Sequence, residues 1–540
     1  MKHFRLFLVV LAAFSMAVVA CAAFGADDPA PTTKPATVVT FDDKGLSSLQ
    51  AGGVELLTDS QLRLQHLLLG PKGNVIGKAF EPVFTRYLPS SHKLEQVYQW
   101  GTISCTYTPT QGGVELAVEL QNTGSLPITQ THFDLMQLRF PATPKGIGWK
   151  ERWTILHDNP DALPAILAIW DQGALALCND DAAQDAVFGF RAVPETGGYA
   201  IVIYRDNAPV KVGETARYRL SIRTAGKGAT PATLAGDVYA AFAKKYPFEL
   251  KWEDRRPIAT AFLASSLAGY KANPRGWLKD PTLDTTTDVG RVIFRERMMK
   301  FADETVKNCK LLNAQGVIVW DVEGQEMPHA TSYLGDPRML PSAAPEMDAI
   351  ADDFFARFTQ AGLRTGVTIR PTHLVPKPGV AVPLEHVQVP DPVEEMSQKI
   401  AYAQKRWGCT IFYIDSNVFE DRSTGKLMTT DMPAELFQKL ARKHPGTLLI
   451  PEHKNPRYWA YTGAYAETRQ GSLGTSDDVR AVYPRAFTVL RVVDGEPLEK
   501  HWNELVASVR AGDVLLFRPW WNDPVNDQVK KIYEEAAKSR

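Results

Sequence analysis

A change of period divides this chain and limits what it can fold into. From Val38 to about Ala225 the pattern is alternation with turns: Ile103-Ser104-Cys105-Thr106-Tyr107-Thr108, Val114-Glu115-Leu116-Ala117-Val118-Glu119-Leu120 and Tyr218-Arg219-Leu220-Ser221-Ile222-Arg223. Period two marks half-buried strands, and Gly/Asn/Pro/Ser separators such as Pro109-Thr110-Gln111-Gly112-Gly113 mark the turns between them. No long amphipathic helix interrupts this half, so it predicts an antiparallel β-sandwich over residues 38–230.

A helical stretch from Pro231 to Tyr246 and a short linker, together 231–256, lead into a second regime over 257–540. Here short apolar runs alternate with helical patterns. The runs are Ile258–Leu263, Val317–Asp321, Arg364–Ile369, Thr410–Asp415, Thr447–Glu452, Ala464–Glu467, Ala486–Val492 and Val514–Arg518. Apolar residues at three- and four-residue spacing predict helices at Arg295–Leu312, Pro345–Ala361, Val393–Trp407, Pro433–Lys443 and Glu499–Ala511. Eight such units in roughly 280 residues are the signature of a (β/α)8 barrel, a TIM barrel, with an open doubly wound sheet as the alternative. The chain is thus multidomain.

The N-terminus reads as an export signal, residues 1–26. Lys2, His3 and Arg5 precede an apolar stretch from Leu6 to Ala20, followed by small residues. Val18-Val19-Ala20-Cys21 resembles a lipobox, and Ala23-Phe24-Gly25-Ala26 suits ordinary cleavage. The expectation is therefore a secreted or periplasmic protein, or one held at a membrane only through a lipidated Cys21. Residues 27–37, rich in Pro, Ala and Thr, form a linker. Cys105, Cys178, Cys309 and Cys409 have no paired spacing and read as small buried hydrophobes rather than a disulfide framework or metal site. A formal charge of −1 without a Lys/Arg cluster excludes phosphate-backbone binding, so no nucleic acid partner is expected.

In a barrel of this kind the active site lies where the strands end. Asp415 closes Thr410-Ile411-Phe412-Tyr413-Ile414-Asp415 and follows Ile411 and Tyr413 at period two, so it shares a face with them. Glu452 closes the next run, Thr447-Leu448-Leu449-Ile450-Pro451-Glu452. The two acids fall on neighbouring units. Asp321 and Glu323 follow strand two, with Gly324 turning the chain away; Arg370 ends strand three, His453 follows Glu452, Glu467 ends strand six, and Trp520-Trp521 follow strand eight. Carboxylates and Arg370 bond sugar hydroxyls, and indole faces stack on pyranose rings. Asp321 could equally pair with Arg370. His329, His373 and Asp494 are weaker candidates of the same loops.

Two carboxyls are what glycosidic hydrolysis requires: one attacks or guides water at the anomeric carbon, the other protonates the leaving oxygen. Asp415 as nucleophile and Glu452 as general acid/base divide the roles, with His453 and Glu467 as competitors for the second. The motif Phe412-Tyr413-Ile414-Asp415-Ser416-Asn417 resembles the strand-four aromatic-aliphatic-Asp segment of retaining α-glycosidases. Glu452 is similar in position to the acid/base of their α-amylase-like and endo-α-N-acetylgalactosaminidase-like groups. That resemblance implies a retaining glycoside hydrolase acting on an α-linked oligo- or polysaccharide, with a β-sandwich before its barrel. Tyr413 departs from the α-amylase group, which carries Arg two residues before the nucleophile.

Rival chemistries lack their residues. No His-x-His ends strand one, as a metal-dependent amidohydrolase would need. No GxSxG elbow is present, and no glycine fingerprint implies a nucleotide cofactor. Neither a cofactor nor a metal is expected. A carbohydrate-binding protein that kept the barrel without catalysis is the remaining alternative.

Overall fold

A computed structural model describes residues 37–538 apart from 52, 71–79, 142–152, 155–162, 182–186, 206–208, 265–269, 325–333, 377–383, 422–425, 431, 453–454, 471–472, 493–497 and 520–523. The export signal with Cys21, nearly all of the linker, and His329, His453, Asp494, Trp520 and Trp521 lie outside the described residues. No helix among the described residues is long and apolar enough to cross a membrane.

The first half forms two large antiparallel sheets, as the alternation predicts. One has seven strands, ordered Ala165–Trp170, Gly173–Asn179, Thr215–Gly226, Gly113–Asn122, Gly101–Thr110, Lys93–Tyr98 and Phe84–Leu88. The other is built around Ile128–Leu138, which pairs with Gly198–Arg205, Leu57–Asp59 and Arg63–Leu69. Ile103, Leu116, Val118, Leu120, Phe133, Ile201, Ile203, Leu220 and Ile222 fill the space between them and are fully buried. The opposite period carries Glu115, Glu119, Arg217 and Arg219, which is why register cannot slip without inverting the faces.

At one edge of the seven-stranded sheet both faces are apolar. Ile166, Ala168, Leu175 and Leu177 enter the sandwich core, whereas Ala165, Leu167, Ala174, Ala176 and Cys178 belong to the core shared with the second half. Small side chains there admit the helix Pro231–Lys245, whose Leu234, Val238, Tyr239 and Phe242 are buried. Pro231 at its first turn and a reciprocal Thr230/Thr233 capping box start this helix. It is the joint between the halves. The four described cysteines are free and buried.

The second half is a nearly closed barrel of eight parallel strands: Ile258–Ala261, Gly316–Val319, Arg364–Ile369, Ile411–Ile414, Leu448–Pro451, Ala464–Glu467, Thr488–Arg491 and Val514–Phe517. Closure falls between strands five and six, where the Gly463 amide donates to the Leu449 carbonyl over 3.0 Å. The helices surround the barrel, among them Asp288–Leu311, Pro345–Gln360, Pro392–Trp407, Ala434–Lys443 and Trp502–Arg510. Helix Pro392–Trp407 shows the local rules: Asp391 accepts from the Glu394 amide, Pro392 sits at the first turn, and Gly408 takes the left-handed conformation after the end. Two hairpins that the periodicity did not predict follow strands three and four: His373–Pro376 with Leu384–Val387, and Asn417–Asp421 with Lys426–Thr430. A further helix, Pro524–Ala537, closes the chain.

Candidate functional site

Alternation decides which strand residues enter the barrel. Ile258, Ile318, Ile411, Tyr413, Leu448, Ile450, Tyr465, Val489, Val514 and Leu516 form one interior cluster, and Val317, Val319, Phe412, Ile414, Leu449, Leu490 and Leu515 pack outward against the helices. Continuing the inward phase past each strand gives Phe262, Trp320, Arg370, Asp415, Glu452, Glu467, Arg491 and Arg518. These residues form the mouth.

The floor of the mouth is aromatic. Trp320 lies 4.1 Å from Tyr413 and 5.2 Å from Phe262 between ring centroids, and Tyr413 stands edge-on to Tyr465 at 5.1 Å. Each such buried ring contributes about 2 kcal/mol or more of apolar burial. They give the polar groups above them a rigid, poorly hydrated base.

On that floor Asp415 and Glu452 meet. The Ser416 amide donates to Asp415 Oδ1 at 2.7 Å and to Glu452 Oε2 at 3.0 Å, so both carboxyls turn toward one N–H. Arg370 Nη2 reaches Asp415 Oδ2 at 2.5 Å, and its Nη1 donates to the Ser416 carbonyl at 2.9 Å. Asp415 is buried and charge-compensated; Glu452 is half-buried. Burial, then the charge of Asp415 and a hydrogen bond to it, push the Glu452 carboxyl up to about 7. At neutral pH one carboxyl of the pair can therefore hold a proton beside an anion, which is the protonation pattern that acid/base chemistry needs.

Arg370 is itself held from behind. Its amide donates to the Gly335 carbonyl at 2.9 Å, and the fully buried Lys399 Nζ donates to the carbonyls of Arg370 and Thr372 at 2.9 and 2.6 Å. Burial drives the Lys399 ammonium down, while Asp336 and Glu395, each 3.6 Å away, oppose that. Asp336, His373 and Glu395 present ligand atoms within 4.8 Å of one another. Arg338 pairs with Asp336 at 2.7 Å and contacts Glu395, so Arg338 and Lys399 supply the positive charge that these acids require. The cluster is an ion network in which a metal would meet two cations.

Two residues read as saccharide ligands from the sequence, Asp321 and Glu323, are buried in the structure. Asp321 continues the outward phase of Val317 and Val319 and is fully buried; its oxygens accept from the Leu263 amide at 2.7 Å and the Ala264 amide at 3.0 Å, fixing the end of strand one. Glu323 is also buried, with Oε1 lacking a hydrogen-bond partner. Burial first, then the charges of Asp336 and Asp321, raise its carboxyl to about 8.

Glu467 lies on the inward face of strand six. Tyr465 Oη donates to its Oε1 at 2.5 Å, Arg491 Nη1 stands 3.3 Å from the same oxygen, and Arg469 contacts Oε2. Arg491 and Arg518 lie over the Phe262 ring at 5.3 and 4.9 Å from its centroid. Phe262, Arg491 and Arg518 were not singled out from sequence. The signal was present in their phase, two residues beyond Thr260, Val489 and Leu516.

The fold has known counterparts. Alpha-N-acetylgalactosaminidase NagBb from Bifidobacterium bifidum, in complexes with GalNAc and with Gal-NHAc-DNJ, superposes with a TM-score of 0.52 at 11% identity; the matches cover 94% of this chain and 92% and 93% of that one. GH36 alpha-galactosidase AgaA from Geobacillus stearothermophilus has a TM-score of 0.39 at 11% identity, covering 93% of this chain and 75% of that one. No protein-family model matches the sequence, and no curated protein matches it. The chain shares the glycosidase architecture of a sandwich followed by a (β/α)8 barrel.

Proposed function

We propose that this protein is a glycoside hydrolase that cleaves an α-linked saccharide with retention of configuration. The observation carrying this reading is the Asp415–Glu452 pair, held on one amide at the inward mouth of the barrel with Arg370 as counter-charge. The fold shared with an alpha-N-acetylgalactosaminidase supports it. In the proposed route, Asp415 attacks the anomeric carbon while protonated Glu452 gives its proton to the leaving glycosidic oxygen. Glu452, now a carboxylate, takes a proton from water; that oxygen attacks the anomeric carbon and Asp415 leaves. The two carboxyls are in hydrogen-bond contact, nearer than the about 6.5–9.5 Å that inversion needs to seat a water and nearer also than the about 5–5.5 Å of a retaining pair, so in this reading a bound sugar parts them. In this reading the stretch before residue 27 serves as an export signal and the enzyme acts outside the cytoplasm, released or anchored through Cys21.

Screening aryl α-glycosides with the wild type, Asp415→Asn and Glu452→Gln tests the assignment. The expected result is wild-type turnover and a loss of at least ~10³-fold in kcat for Asp415→Asn, with circular dichroism unchanged. Turnover kept by both variants overturns these roles. Saccharide binding without any turnover would move the protein to the non-catalytic alternative.

A further inference from the structure

Lys399 sits where an ammonium is costly. It is fully buried on helix Pro392–Trp407, a setting in which well-packed apolar residues commonly serve stability as well as an ion pair does, or better. Burial disfavours its charged form and Arg338 adds to that, whereas Asp336, Glu395 and Glu323 oppose it. Asp336 and Glu395 stand 3.6 Å from Nζ, and both acids already have Arg338 as a partner. What Lys399 adds is a pair of N–H donors to main-chain carbonyls, those of Arg370 at 2.9 Å and Thr372 at 2.6 Å.

Those carbonyls belong to a segment beyond the sheet. Strand three pairs with strand four as far as Ile369 and Ile414, and the Asp415 amide then donates to the Ile369 carbonyl at 2.9 Å. Arg370 begins past that bond, and Pro371 has no N–H to offer. The Arg370 amide goes to the Gly335 carbonyl at 2.9 Å, so Gly335 and Lys399 take the donor and the acceptor of this residue's main chain. From that backbone the Arg370 guanidinium reaches Asp415 Oδ2 at 2.5 Å and the Ser416 carbonyl at 2.9 Å. Several bonds separate a guanidinium from its Cα, so a small rotation of the main chain is magnified at its tip.

Resting on the glycosidase reading above, we propose that Lys399 is a positioning residue for the Asp415–Glu452 pair. Fully buried, it touches no saccharide; it clamps the 370–372 main chain and, through it, the guanidinium that fixes Asp415.

Lys399→Met in the full-length protein removes the donors and keeps the apolar stem. Its first readout needs no substrate. The charge of Arg370 favours the ionised form of Glu452, so a displaced guanidinium should move that ionisation to higher pH. The melting-temperature difference between each protein and its Glu452→Gln counterpart, followed against pH, locates the midpoint, which should rise by about half a pH unit or more in the Lys399→Met background. The second readout is kinetic. On the substrate found in the α-glycoside screen, kcat should fall about 10²-fold while KM changes less than about threefold. Thr365→Val deletes a buried bond to the Trp407 carbonyl at 3.0 Å, at the opposite end of strand three, and should move neither readout. If Lys399→Met does not fold, Lys399→Met combined with Asp336→Asn removes an acid together with the ammonium and takes its place. An unmoved midpoint, or a loss of kcat no larger than that of Thr365→Val, overturns the proposal. A wild type that turns over no α-glycoside fails the glycosidase reading instead, and the midpoint then decides by itself whether Lys399 positions the pair.

Discussion

The raised Glu452 carboxyl makes a prediction that needs no substrate. Folding moves it from an ordinary 4.5 to about 7, chiefly through burial and the neighbouring Asp415. At about 1.36 kcal/mol per pH unit the shift corresponds to about 3 kcal/mol, and partial solvent access reduces this to about 2 kcal/mol. A group whose folded value is raised favours the folded state while protonated. Its contribution is fully present below pH 4.5, declines as pH rises, and is lost once pH passes about 7. Glu452→Gln keeps a hydrogen-bond donor toward Asp415 and cannot ionise. Melting temperatures of the wild type and Glu452→Gln, measured at half-unit steps from pH 4.5 to 8, should therefore diverge. The wild type should lose about 4 °C relative to the variant across that window, taking the entropy of unfolding of a barrel-sized domain. Titrations elsewhere are common to both proteins and cancel in the difference. Parallel curves would mean that Glu452 is not coupled to Asp415 as the geometry requires, and the protonated-acid role would go with it.

Two further outcomes follow from the supporting structure. Asp321→Ala leaves the Leu263 and Ala264 amides buried without acceptors and should cost about 2–5 kcal/mol in urea unfolding; a change below about 0.5 kcal/mol would refute its structural role. Gly335→Ala should lower kcat far more than it lowers the melting temperature. Gly335 has φ of 66°, and an added Cβ would stand 2.7 Å from Arg370 Cγ, so the arginine that holds Asp415 must move. Unchanged kcat on the substrate found in the α-glycoside screen would show that Arg370 tolerates displacement.

Much of the architecture was legible in the sequence because periodicity reports burial directly. Strand six, only Ala464–Glu467, was readable despite its length, since its four residues are all buried. Arg370, Asp415, Glu452 and Glu467 could be placed at strand ends for the same reason. The two hairpins after strands three and four were not legible. Their strands are short and carry His373, Glu385, Glu420 and Lys426, so neither has an apolar period to betray it.

What the sequence determined alone was the order of elements and the phase of each strand, because both are local properties of the chain. Tertiary structure decided the partners. Asp321 and Asp415 each end an apolar strand and look alike in sequence; one falls in the outward phase and accepts two amides of strand one, the other in the inward phase beside Glu452. Lys399 is an unremarkable helix residue until packing buries it against the carbonyls that set Arg370. Ionisation followed the same division. A proton is favoured on Glu452 near neutral pH because of burial and a neighbour 37 residues earlier in the chain, and proximity of that kind exists only once strands four and five have paired.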